Sequence, residues 1–245
     1  MTPDTDFRRG VISPVECLKE GWALIKDQYW LFLGICVVGM LIGSALAIVL
    51  MGPMMCGIFL CLFQQMRGQR VSFDGLFKGF DYFGQSVIAT LIQAIPAVII
   101  IVPVYLIMVF GMLASVSTAG RRGGEEAAMA SFFFIMIVVF IVIMVLSVVL
   151  GIFFMFTFPL IVDRKLSGVE AVKTSVKAAM ANFGGLLGLV LLNFVLSLGG
   201  VLLCYVGAFF IIPITITAQA IAYRRVFPDV QPGLMTPPPP PASWT

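Results

Sequence analysis

Four stretches of this chain carry no charged residue: 30–66, 86–116, 127–162 and 183–223. No other feature restricts its fold as strongly. A helix that crosses about 30 Å of hydrocarbon needs about 20 apolar residues. The second and third stretches each predict one long helix, tilted or projecting beyond a bilayer. The first and fourth exceed one helix, and each predicts two spans joined by a tight turn. The expected breaks are Gly52-Pro53 in the first and the region of Gly199, Gly200 and Gly207 in the fourth. The resulting fold class is all-α, a polytopic membrane helical bundle of six transmembrane helices. The spans are expected at about 30–50, 52–66, 86–112, 131–158, 184–204 and 206–223. Segment 52–66 is the shortest, with a re-entrant alternative.

Composition agrees. The chain is 60% hydrophobic and 11% charged, against about a quarter charged in a soluble domain. Histidine is absent, which removes the usual acid/base group near neutral pH and the commonest metal ligand. A net charge of +3 is too small to imply a nucleic-acid partner. Cys17, Cys36, Cys56, Cys61 and Cys204 form no CxxC pair and are expected as small buried hydrophobes. About thirty mostly polar residues precede the first apolar run, so that run is expected to act as an uncleaved anchor.

The basic residues set an orientation. With six spans, one side holds thirteen of the fifteen Lys and Arg, and the other holds only Arg121 and Arg122. The positive-inside rule then places both termini in the cytoplasm, with the spans in the cell (inner) membrane. Residues 1–12 are expected as an N-terminal cytoplasmic tail. The proline-rich end, 226–245, is expected to be extended or disordered, with its five consecutive prolines favouring polyproline II.

Between the spans a pattern repeats. SPVECLKEGWALIKDQYW begins at Ser13 and SGVEAVKTSVKAAMANFGG at Ser167, with VSFDGLFKGFDYFGQ as a looser copy. Each carries apolar residues at steps of three and four. The first two open Ser-x-x-Glu, a capping box, and Pro14 suits a first helical position. The predicted elements are three cytoplasmic interfacial amphipathic helices, or elbows, at about 13–29, 72–84 and 167–182. Their apolar faces are expected against membrane lipids: Trp22 in the first, Phe73 and Phe80 in the second, Val172 and Val176 in the third. In the third, Val169 and Met180 extend the stripe, while Glu170, Lys173 and Lys177 face water. The repeat continues into the bilayer, where Gly39 and Gly43 align with Asn193 and Ser197. Small or hydrogen-bonding residues four apart suit close helix packing. Asn193 and Ser197, with Thr217 and Gln219, are also candidates to line a substrate path.

All twelve Asp and Glu, like the fifteen Lys and Arg, fall in expected loops, tails or elbows, which argues against ion-coupled transport. The chain has no Walker A loop, GxSxG or HExxH. Asp74 with Asp81, and Asp163 with Glu170, are the carboxylate pairs that could hold a metal. Solvated faces with local ion pairs explain them better. No catalytic residue, metal or cofactor is expected. The outside loop GRRGGEEAA balances its own charge.

Two stretches, GPMMCGIFLCLFQQMRGQRVSFDGLFKGF and FPLIVDRKLSGVEAVKTSVKAAMANF, carry a resemblance. They resemble a broad group of six-span bacterial membrane proteins, distantly like the membrane domain of membrane-anchored glycerophosphodiester phosphodiesterases. The shared pattern is a Gly-Pro-opened span with an Arg-Gly exit, then Pro-Leu-Ile-x-Asp before a Ser-x-x-Glu-Ala elbow. The resemblance implies a helical membrane domain over about 13–225. The phosphodiesterase catalytic domain has no counterpart here. The expected function is that of a non-enzymatic membrane scaffold, sensor or accessory factor, with a permease or lipid-translocating protein as the alternative. Expected partners are membrane lipids and either a second copy or another membrane protein.

Overall fold

The computed structural model describes residues 7–46, 49–119, 125–202 and 206–228. Among these the fold is all-α, without strands. The helices are α1 (Pro14–Ile25), α2 (Tyr29–Ala45), α3 (Met51–Met66), α4 (Phe83–Ala119), α5 (Glu125–Phe154), α6 (Thr157–Arg164), α7 (Gly168–Ala181), α8 (Phe183–Leu202) and α9 (Val206–Val226). A 3-10 turn, Lys26–Gln28, follows α1, and a longer 3-10 helix, Phe73–Tyr82, precedes α4. Five helical segments are long and apolar enough to cross a membrane, and α3 is a shorter apolar helix. Gly52 and Pro53 lie in the first turn of α3. The expected break in the fourth stretch falls between α8 and α9, at 203–205, outside the described residues.

The shortest span is the hub. Helix α3 touches α2, the long 3-10 helix, α4, α6 and α9, and buries Met54, Ile58, Phe59 and Leu62. Gly39 and Gly43 face it from α2. A Cβ on Gly39 would stand 3.1 Å from Ile58 Cδ1, and one on Gly43 3.1 Å from the Met51 sulfur. Cys17, Cys36, Cys56 and Cys61 are buried, whereas Cys204 lies outside the described residues.

The second elbow differs from its expected form. Its apolar spacing predicts an α-helical stripe, yet the segment is a ten-residue 3-10 helix, unusually long for that geometry. The cause is a backbone crossing with α3. A Cβ on Gly57 would collide with the Leu76 carbonyl, and one on Gly79 with the Pro53 carbonyl and the Gly57 backbone. With three residues per turn, Leu76 and Gly79 face α3, while Phe77 and Phe80 point outward; Phe73 is also exposed. The segment runs back along α3, with Gly75 beside Cys61 and Gly79 beside Pro53. Gly52, at the start of α3, then meets Ser86 and Thr90 of α4. Helix α3 and this segment therefore run antiparallel, with their backbones in contact.

The first elbow packs along another helix. Helix α1 lies antiparallel along α9. Glu16 meets Arg225, Gly21 meets Ala218, and Tyr29 donates to the Phe210 carbonyl. Trp22 remains outward, 46% exposed. No side-chain cap forms at Ser13, and the Glu16 carboxylate pairs with Arg225.

The third elbow has its capping box. Ser167 Oγ accepts from the Glu170 N–H, and Glu170 Oε2 accepts from the Ser167 N–H. Its packing face is not the valine stripe. Gly168, Ala171, Val172, Ser175, Ala178 and Ala179 are buried against α4, α5 and α6, while Val169 and Met180 are exposed. Val172, expected at lipid, is only 7% exposed and contacts protein; Val176 is half-buried. Small side chains won this face because backbones approach closely there. A Cβ on Gly168 would strike the Gln85 carbonyl.

Residues 7–12 are docked rather than a free tail. The Arg8 N–H donates to the Val226 carbonyl, and the Gly10 N–H to Asn182 Oδ1. Phe227, just past α9, is fully buried with Phe7 against its ring.

Candidate functional site

Two polar features stand out, and one is structural. Asp163, at the end of α6, has a side chain only 8% exposed. Arg224 of α9 grips it bidentately, at 3.0 Å and 2.8 Å, and the Tyr223 hydroxyl donates to it at 2.8 Å. Arg67 of α3 reaches it at 3.5 Å. The Arg224 guanidinium also lies 4.3 Å from the Phe63 ring centroid, within cation–π range. Asp163 thereby ties three helices together. Its proposed metal-ligand mate, Glu170, is occupied in the capping box. Among the described residues no group of three or more His, Cys, Asp or Glu gathers. A second clamp joins Arg225 to Glu16 and Glu20 of α1, both at 2.8 Å.

The second feature is a helix break. Helix α5 stops at Phe154 and α6 starts at Thr157. Pro159 explains the stop. Proline lacks the N–H that would bond the carbonyl four residues earlier, which here is that of Met155. Gln219 of α9 supplies the missing donor, with Nε2 3.0 Å from the Met155 oxygen. Ser175 of α7 repairs the rest, accepting from the Phe156 N–H at 3.1 Å and donating to the Phe153 carbonyl at 2.7 Å. Unpaired backbone groups at such a break would cost several kcal/mol in apolar surroundings, roughly the scale for any buried polar group.

Beside the break is a cleft of about 350 Å³. Its polar members are Gln93 of α4, Ser147 of α5 and Gln219; Met55, Phe154 and Phe158 are among its apolar walls. Gln93 Nε2 is buried and has no hydrogen-bond partner among the described residues.

Of the four candidates for a substrate path, one borders this cleft. Gln219 lines the cleft. Thr217 is buried and bonds the Pro213 carbonyl of its own helix at 2.6 Å. Asn193 and Ser197 are half-buried on α8, away from the cleft-lining residues, and Asn193 Oδ1 is buried without a partner. Sequence reasoning gave no role to Ser175, Tyr223 or Arg224. Pro159 inside an apolar run was the available signal for the break, and the Asp163 and Arg224 charges at two stretch ends were the signal for the clamp.

Fold and site together define a helical protein with membrane-spanning character, a charged clamp at one end and a cleft beside a broken helix. No protein-family model, curated protein or solved structure matches the chain.

Proposed function

We propose that this is a non-enzymatic integral membrane protein acting as a scaffold, sensor or accessory factor at the cytoplasmic face of the cell (inner) membrane. The use of its charged side chains carries this reading. Asp163, Arg224, Arg225, Glu16 and Glu20 pair with one another across α1, α6 and α9 instead of converging on an open site. The bond between Arg8 and Val226 supports placing both chain ends on one side, and the Lys/Arg excess there favours the cytoplasm. That requires an even number of crossings, with the short helix α3 as the sixth beside the five long apolar segments. The likeness to the phosphodiesterase membrane domain rests on its quoted motifs.

The second reading is a permease or lipid-translocating protein for an uncharged or amphiphilic substrate. The broken helix beside a cleft favours it, since interrupted helices at membrane depth mark transport sites.

Complementation of a deletion strain separates the two. Lys173→Glu with Lys177→Glu reverses exposed charge on α7 and should abolish complementation if α7 serves a cytoplasmic partner. Gly151→Leu narrows the cleft and should be tolerated. The opposite pattern belongs to the translocating reading. Reporter fusions after Arg70, Lys165 and Arg225 should read cytoplasm and one at Gly123 outside; a cytoplasmic signal at Gly123 would overturn the topology.

A further inference from the structure

We infer that the cleft beside the helix break binds one glycerolipid of the surrounding membrane, with the Gln93 side-chain amide donating to an ester carbonyl of the lipid. The inference rests on the membrane placement proposed above and is independent of the scaffold role.

Three observations converge. The first is an unmet donor. Gln93 Nε2 is buried at the cleft with no partner among the described residues, whereas the other amide there, Gln219, is committed to Met155. A buried amide donor without an acceptor is costly, so a ligand offering only an acceptor suits it. A hydroxyl or charge is not required.

The second is depth. Along α9, Gln219 precedes Arg224 by five residues, about 7.5 Å at a rise of about 1.5 Å per residue. Met155 precedes Asp163 by eight residues, about 12 Å as helix. The Gln219 and Met155 end of the cleft therefore lies within about 12 Å of the charged clamp. Headgroup layers are roughly 5–8 Å deep on each side of the hydrocarbon. A clamp at headgroup level puts the cleft where glycerol esters give way to acyl chains.

The third is shape and lining. Apart from its three polar members, the cleft is walled by Met55, Ala97, Leu150, Gly151, Phe154, Met155 and Phe158. Methionine and phenylalanine supply adaptable apolar walls for a flexible chain. The lip is open: Gly151 is exposed, and a Cβ built there meets nothing within 4 Å. Beyond it, α4 and α5 present exposed Val98, Ile101, Val145 and Leu146. A lipid would reach the cleft sideways from the bilayer. The volume lies near the low end of ligand sites, about 300–1,000 Å³, enough for the ester and the start of one chain.

The test reconstitutes the full chain in vesicles of diester phosphatidylethanolamine and phosphatidylglycerol with a trace of acyl-diazirine phosphatidylethanolamine. Crosslinks are mapped by mass spectrometry. Labelling should concentrate on 147–158 and Met55 relative to the outer face of α4 around Ile99. Gln93→Leu should lower cleft labelling about fivefold, the scale of one hydrogen bond lost at membrane depth, without changing the outer-face signal. Gly151→Leu, whose side chain enters open space, should lower it similarly, and an unchanged melting temperature shows that the fold is kept. Diether lipids, which lack the ester carbonyl, should compete about fivefold less well than diester lipids. The inference is overturned if the cleft labels no more than the outer face, if neither variant changes it, or if diether lipids compete equally. The reporter fusions check the membrane placement and complementation checks the scaffold role, so each reading fails separately.

Discussion

Removing the charge of Asp163 tests the clamp most directly. In Asp163→Asn the side chain keeps its shape, but one oxygen becomes an NH2 that faces either Arg224 or the Tyr223 hydroxyl. Two charge-assisted contacts at 2.8 and 3.0 Å weaken or reverse, and Arg224, 13% exposed in its side chain, stays buried. Hydrogen bonds to charged groups contribute about 1.5–3 kcal/mol each, without simple additivity. Breaking one side of a buried pair costs about 3–5 kcal/mol. Arg67 adds little, being 52% exposed and 3.5 Å away. The expected loss for Asp163→Asn is therefore about 3 kcal/mol, a large fraction of a stability margin of about 5–15 kcal/mol. Glu20→Gln, in a pair whose carboxylate is 54% exposed, should cost under about 1 kcal/mol. Equilibrium unfolding in mixed micelles gives both numbers. A double-mutant cycle with Arg224→Gln isolates the coupling, which should exceed about 1.5 kcal/mol. Equal costs for Asp163→Asn and Glu20→Gln, or a coupling near zero, would refute the view of Asp163 as a buried keystone.

Three further outcomes are expected. Gly57→Ala should abolish folded yield on size-exclusion chromatography, because the new methyl meets the Leu76 backbone, while Gly84→Ala, with nothing within 4 Å, should be neutral. Ser175→Ala removes two of the three repairs of the helix break and should cost about 2 kcal/mol, with faster amide hydrogen exchange at 153–157; unchanged exchange would mean that the Ser175 bonds do not hold the break. Arg225→Gln breaks both contacts to α1; because the Glu16 and Glu20 carboxylates are largely exposed, it should cost about 1 kcal/mol or less, read by the same unfolding assay.

The sequence by itself determined the helical class, the apolar runs, the capping box at Ser167 and Glu170, and the burial of the cysteines up to Cys61. These are local properties. Apolar length, a four-residue cap and the absence of charge act within one or two turns, so a linear reading captures them. Tertiary structure alone decided which faces meet. The third elbow shows why: Val169 of its valine stripe is exposed, yet the alanine and serine face is buried, and at Gly168 the α4 backbone comes too close for any side chain. The second elbow became a 3-10 helix because Gly57 and Gly79 allow two backbones to touch, a fact of two segments and not of either. Asp163 reads locally as half of a carboxylate pair; its partners Tyr223 and Arg224 stand sixty and sixty-one residues away. Gly10 and Asn182 bond across 172 residues. Such contacts arise from chain crossings that no period in the sequence encodes, and they place Gln219 and Ser175 at the gap Pro159 opens.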